Sequence, residues 1–267
     1  MPFVADRAFG WQPAVIDESW GLQTIPSGTA YTVCKSLWCP ECGLLFLDIR
    51  FSEAEMAGIY CGYRGAEYTR LREHYEPGYA ARNQQLDQGV SYIAEVEHFL
   101  RPLVGDTPHV LDWGGDTGRN TPFRGRSQMC DVYDISDKPV VAGARRVDHG
   151  QALGSTYDLV VCSNVLEHIP YPEDTLRDIV AAMDTHSVLY VEVPFEDTVR
   201  TVPSQPHLHK RHWHEHVNFF SEDSLHRLME RCGLEVVSSG QLFVTTAGKS
   251  TYLFQLACRL PPGAAAQ

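Results

Sequence analysis

The stretch that decides the fold is residues 110–120, VLDWGGDTGRN. A short apolar run carrying one acid passes straight into a loop that holds Gly114, Gly115 and Gly118, with Asp112 and Asp116 among them. A loop that only turned the chain needs one glycine, or two. Repeated glycines remove the Cβ atoms that hold a ligand off the main chain, and they admit positive φ. The loop therefore reads as a place where a ligand approaches the backbone, just past the end of a buried strand.

Outward from this loop the pattern alternates. The sequence predicts strands at 109–112, 129–133, 157–163, 187–193, 234–238 and 251–258, and helices at 172–183 and 222–232. Ser221 is a good N-cap for the last helix and Gly233 a good stop. Before the loop, Leu86, Val90, Ile93, Val96 and Leu100 recur at steps of three and four, which predicts helix over about 78–104, closed by Pro102 and Gly105. Strands alternating with helices indicate an α/β domain with a mainly parallel sheet covered on both faces, here over residues 78–260. Residues 1–70 are rich in Trp, Gly, Pro and Cys, lack periodicity, and read as a small irregular N-terminal domain.

Bulk properties narrow the function. The 267 residues carry 22 basic and 34 acidic side chains, a net charge of -12. Such a chain repels nucleic-acid phosphates unless it sets a basic patch apart, and none of any size is visible, so no nucleic-acid partner is expected. No apolar run is long enough to span a bilayer, and no membrane association is expected. Asp6, Asp17 and Glu18 occupy the region where a secretory signal would be apolar. Cys130, Cys162, Cys232 and Cys258 sit among apolar neighbours and read as buried thiols of a reducing cytoplasm. Oligomeric state is not legible.

In a doubly wound sheet, ligands sit beyond the carboxyl ends of the strands, where this loop lies. A dinucleotide would want G-x-G-x-x-G aimed at a pyrophosphate. The spacing here is D-x-G-G-D-x-G, which places acids where the pyrophosphate would sit. S-adenosylmethionine, with an ammonium, a sulfonium and no phosphate, suits such a loop better. Asp134 ends the next strand, where an acid accepts from ribose hydroxyls. Asp148 follows the next short apolar stretch, where an acid can take the adenine amino group. Asn164, in the segment YDLVVCSNVLEHI at 157–169, ends the fourth strand beside the same place.

Taken in order, these segments resemble the class I S-adenosylmethionine-dependent methyltransferases over roughly residues 80–258. The resemblance implies a Rossmann-like, seven-stranded, mainly parallel sheet. It puts Asp112, Gly114, Gly115 and Gly118 at the methionine part, Asp134 at the ribose and Asp148 at the adenine edge. The family loop reads D-x-G-x-G-x-G, and here Asp116 stands in place of the middle glycine. The competing reading is another nucleotide-binding α/β domain, or a methyltransferase fold without activity that serves as a scaffold.

Two further segments resemble sugar C- and O-methyltransferases. Cys39-Pro-Glu-Cys42-Gly has the geometry of a zinc knuckle, but a tetrahedral site needs two such pairs. Cys34 is the nearest further cysteine, and Cys61 or His74 are other possible ligands. The alternative is a decayed site held by Trp38, Leu44, Phe46 and Leu47. Downstream, QPHLHKRHWHEHVNFF from Gln205 falls in an insertion at 195–220. Its histidines could serve a metal, a solvated surface loop or a substrate lid. The lid is the preferred reading, since a long loop at the active edge is usually functional. By resemblance, His216 is a general base with Glu215 orienting it, and His168 of Glu167-His168 belongs to the site. His214, Tyr60 and Tyr63 would face the substrate, with Lys210 and Arg211 meeting a diphosphate. The expected acceptor is a small molecule, a sugar or sugar nucleotide, with another small metabolite as runner-up.

Overall fold

The computed structural model describes residues 2–8, 14–20, 28–30, 35–127, 129–136, 138–201, 205–210, 215–246 and 248–263. Its helices are α1 Pro2–Ala8, α2 Glu53–Tyr60, α3 Ala66–Tyr75, α4 Tyr79–Gln88 and α5 Ile93–Val104, then α6 His149–Leu153, α7 Pro172–Ala181, α8 Asp197–Arg200 and α9 Glu222–Arg231. Its strands begin with β1 Ala14–Ile16, β2 Gly28–Ala30, β3 Ser36–Trp38 and β4 Leu45–Leu47. The remaining strands are β5 Val110–Trp113, β6 Cys130–Tyr133, β7 Arg145–Arg146, β8 Leu159–Ser163, β9 Val188–Phe195, β10 Asn218–Phe219, β11 Glu235–Thr246 and β12 Lys249–Arg259.

The central sheet has seven strands in the order β11-β12-β9-β8-β5-β6-β7. β9, β8, β5, β6 and β7 run parallel, whereas β12 is antiparallel to β9 and β11 to β12. This is the expected doubly wound, mainly parallel sheet. The inner strands are almost continuously apolar because both of their faces are covered. Alternation along β9 shows the two sides. Leu189, Val191, Val193 and Phe195 pack with Leu176 and Ile179 of α7 and Leu225 and Met229 of α9. Val188 and Tyr190 pack with Val96 and Leu100 of α5. The chain moves from β5 outward to β7, then returns to β8 on the other side of β5. That reversal opens a crevice beyond the carboxyl ends of β5 and β8.

Several elements differ from expectation. The helix predicted across about 78–104 is two helices, divided at Gly89, whose φ of 100° no L side chain adopts readily. α5 runs through Pro102 and stops at Gly105. β7 is two arginines, unlike a strand in composition. It is pinned because Arg145 lies opposite buried Asp131 and donates to both of its oxygens, at 2.8 and 2.7 Å. β11 and β12 form a hairpin much longer than their apolar cores, because cross-strand pairing extends from Glu235↔Arg259 to Thr246↔Lys249.

The N-terminal region does not stand apart from the rest. β10, from the histidine-rich segment, pairs antiparallel with β4 in a three-stranded sheet with β3. Leu45, Leu47, Phe51 and Ile59 share a core with Val217 and Phe219. α9 begins on the expected Ser221 cap, whose hydroxyl also donates to Cys42 O. Among the described residues no helix is long and apolar enough to cross a membrane. Since Phe219 is buried across this junction, Phe219→Ala is expected to lower unfolding free energy by about 3–5 kcal/mol, measured by urea denaturation.

Candidate active site

A cavity of about 1850 Å³ opens at the carboxyl ends of β5, β6, β8 and β9. That exceeds the ~300–1,000 Å³ of a site for one drug-sized ligand, so it can take two molecules side by side. Asp112, Gly114, Gly115, Asp134, Asn164, Glu167, His168, Glu215, His216, Tyr60 and Tyr63 all line it.

The glycine loop is shaped by close approach. Gly114 has φ 81°, its N–H donates to Tyr133 O at 2.7 Å, and a Cβ there would come within 2.5 Å of Val165 Cγ2. A Cβ on Gly115 would strike the Asp112 carboxyl group at 2.5 Å. Gly118 does not line the cavity; it packs the loop onto Val132 and Ala144. Asp116 adopts φ 53°, a glycine-like conformation that Asp tolerates, which explains how it replaces a glycine. Its carboxylate is already paired, with Arg64 at 3.2 Å and Lys138 at 3.3 Å. The charge expected from Asp116 is therefore largely spent inside the protein. Asp112 is 6% exposed and accepts from the Thr121 hydroxyl, and burial pushes its carboxyl up to about 7.

Asp134 is held by two main-chain donors, Asp116 N–H to Oδ2 at 2.8 Å and Ser136 N–H to Oδ1 at 2.7 Å. A carboxylate retains further lone pairs for a ligand. Asp148 stands at the start of α6. It caps α6, accepting from Gln151 N–H at 2.8 Å, and does not line the cavity. Asn164 has φ 54° and is gripped by Glu192, whose carbonyl accepts its N–H and whose Oε1 accepts from Nδ2, both at 2.8 Å. Ser163 and Tyr190 hydroxyls also donate to this buried Glu192 at 2.7 Å. A lone acid inside the apolar strand LYVEVPF was the sequence signal for Glu192, which sequence reasoning passed over.

The two histidines expected in the site meet. The rings of His168 and His216 stand edge to face, 4.6 Å between centroids. With Glu167 they bring three potential ligating atoms within 4.8 Å of one another. Burial, with the charge of His216 adding to it, holds His168 well below the ordinary imidazole value. Burial also works against the charged form of His216, but Glu196, Glu167 and Glu215 together outweigh it and hold His216 above that value. Burial raises Glu167 to about 7.

The carboxylate beside His216 Nδ1 is Glu196, at 3.4 Å. Glu215, expected to orient His216, is turned to other partners. It accepts from the Tyr68 hydroxyl and pairs with Arg72 at 2.9 Å. Tyr60 packs edge-on against His168 and Tyr63. Lys210 does not line the cavity; its ammonium sits 4.0 Å from the centre of the Phe219 ring. Arg200 does line it, beside Tyr252 at 4.3 Å. Arg211 and His214 lie outside the described residues, as does Cys34. Cys39 and Cys42 lie close together, and hydrogen bonds from the Cys42 main chain and side chain hold the Cys39 thiol below its ordinary value. Among the described residues no third ligand joins this pair.

No curated protein matches the chain. Among solved structures, the chain is similar to Burkholderia thailandensis 1,6-didemethyltoxoflavin-N1-methyltransferase with bound 1,6-didemethyltoxoflavin and S-adenosylhomocysteine. Identity is 16%, coverage is 85% of this chain and 100% of that one, and the TM-score is 0.54. It is also similar to magnesium protoporphyrin IX methyltransferase from Synechocystis PCC 6803 (15% identity, 75% and 98% coverage, TM-score 0.46). A further likeness is to a putative methyltransferase from Bacillus halodurans (11% identity, 63% and 99% coverage, TM-score 0.48). The first of these supports the fold. A family model described as "Methyltransferase domain" matches residues 81–239, more than half of the chain and the whole stretch from α4 to the glycine loop and the histidine pair. The chain belongs to the methyltransferase-domain family.

Proposed function

We propose that the protein transfers the methyl group of S-adenosylmethionine to a small-molecule acceptor, a sugar or sugar nucleotide, on an oxygen or an acidic carbon. One observation carries this reading: a single cavity, large enough for two molecules, is lined both by the glycine loop with Asp112 and Asp134 and by Glu167, His168 and His216. Methyl transfer requires nucleophile, methyl and sulfur in line, with water kept out. In this reading Gly114 and Gly115 let the methionine part lie against the main chain. Asp134, preset by two N–H groups, receives the ribose hydroxyls. Asn164, fixed by Glu192, borders the reacting methyl. The acceptor gives up its proton at the Glu167–His168–His216 cluster, and we assign the decisive part to His216. Arg200, which lines the cavity and pairs with Asp197, meets an acceptor's anionic group in this reading; Lys210 does not line the cavity. Gly118 packs the loop and Asp148 caps α6.

Calorimetric titration should give micromolar binding of S-adenosylmethionine and S-adenosylhomocysteine. Asp134→Ala should weaken both at least tenfold, as expected for losing hydrogen bonds to a charged group worth about 1.5–3 kcal/mol. Binding of neither ligand by the wild type would sink the methyl-transfer reading. With a sugar-nucleotide acceptor found by screening, His216→Gln should lower kcat by about 10²–10⁴-fold at unchanged cofactor affinity. Unchanged kcat at saturating acceptor would remove His216 from the chemistry.

Asp112 offers a test in pH. Its folded-state value of about 7 lies above its unfolded value, so the folded protein binds the proton more tightly. Its contribution to stability is favourable at low pH and is lost as pH rises from about 4 to about 7. Asp112→Asn should therefore stabilise the cofactor-free protein at pH 8, by on the order of 3 kcal/mol, and by much less at pH 5. It should weaken cofactor binding at the same time. Urea denaturation at the two pH values checks the first statement and calorimetry the second.

A further inference from the structure

Glu167, His168 and His216 have a feature that an ordinary buried ion pair lacks. Both carboxylate oxygens of Glu167 are buried and accept no hydrogen bond from any other described residue. Glu167 is 2% exposed. A carboxylate removed from water without a donor is strongly unfavourable unless something cationic meets it. His168 Nε2 stands 3.7 Å from Glu167 Oε1, beyond hydrogen-bonding distance.

The main chain also holds these groups in place. Val217 N–H and Asn218 N–H both donate to Glu167 O, at 2.7 and 3.0 Å. The Asn218 amide donates to Leu166 O and Ile169 O, at 3.1 and 2.7 Å. The turn carrying Glu167 and His168 is thereby locked to the segment carrying His216. Such prior fixing of ligands is what a metal site requires.

We infer that this cluster binds one first-row divalent cation, with Glu167, His168 and His216 as its protein ligands and its remaining positions facing the cavity. Two imidazoles and one carboxylate suit borderline cations such as Co²⁺ or Zn²⁺ and are accepted by Mn²⁺, and they are a poor set for Ca²⁺ or Mg²⁺, which prefer oxygen. Three protein ligands leave open positions for an acceptor. The site itself does not depend on the methyl-transfer reading; the role that follows rests on it. An acceptor with two neighbouring oxygens, such as a vicinal diol or a hydroxyl beside a carbonyl, binds the cation through both. The dication lowers the pKa of the bound hydroxyl, whose proton is released to solvent. The resulting oxygen forms the C–O bond to the methyl group as the C–S bond breaks, and that bond's electron pair stays on sulfur. With the cation bound the imidazoles are ligands, so solvent takes the proton in place of His216, and the inference selects a chelating acceptor among the sugars and small molecules considered above.

The test uses the full chain, freed of metal by chelator, in a Cys39→Ser/Cys42→Ser background so that thiolates do not compete. Equilibrium dialysis and electron paramagnetic resonance with Mn²⁺, and visible absorption with Co²⁺, read binding directly. One cation per chain is expected. At least tenfold weaker binding is expected in each of Glu167→Gln, His168→Gln and His216→Gln, with circular dichroism and S-adenosylhomocysteine affinity as checks of folding. Absence of Mn²⁺ and Co²⁺ binding in the parent, or binding that survives in all three variants, overturns the inference. Cofactor binding without cation binding defeats the metal site and spares the methyl-transfer reading. Cation binding without cofactor binding does the reverse.

Discussion

Two N–H groups, those of Val217 and Asn218, converge on the carbonyl oxygen of Glu167, and much of the site hangs on that junction. It ties the loop after β8 to the histidine segment and so places His216 against His168. The next residues along, Asn218 and Phe219, form β10 and pair with β4, which brings the N-terminal region over the same edge of the sheet. These two main-chain contacts thus join the loop after β8, the histidine pair and the N-terminal core. Backbone groups buried at such a junction need partners, and satisfying them from another segment makes the arrangement cooperative.

Electrostatics in the cavity follows from which acids find cations. The chain carries a net charge of -12, yet its cavity acids are not simply a negative field. Arg64 and Lys138 take up Asp116, and Arg72 takes up Glu215. Among the described residues Asp112 has no such cation and Glu167 has only His216 nearby, and burial raises both to about 7. These two are the carboxyl groups with most to gain from a positively charged ligand. That is consistent with a sulfonium-bearing, ammonium-bearing cofactor at one and a cation at the other. A paired charge is fixed in place and serves structure, whereas a desolvated, unpaired one is held ready for a ligand.

Much of the fold was legible because its signals are local. The apolar runs of β5, β8 and β9 and the cap Ser221 act over a few residues, and the structure has each where the sequence puts it. The break at Gly89 was missed because Leu86, Val90 and Ile93 keep helical spacing across it, and periodicity does not report φ. The two-residue strand β7 was missed because its cause, the Arg145–Asp131 pair, lies across the sheet. In the site, Asp134, Asn164, His168 and His216 do line one cavity. Asp148 and Lys210 do not, and the partner of His216 is Glu196 in place of Glu215.

The sequence alone determined the class of fold, the edge of the sheet where the cavity opens and the residue types available there. Alternating apolar patterns and glycines follow from backbone sterics and burial, which every short segment expresses by itself. Only the tertiary structure decided which acid meets which base. The partners of Asp116, Glu215 and His216 come from segments dozens of residues away or from the far side of a turn. Coulombic attraction and desolvation depend on distance in space, and the sequence carries no direct record of that distance.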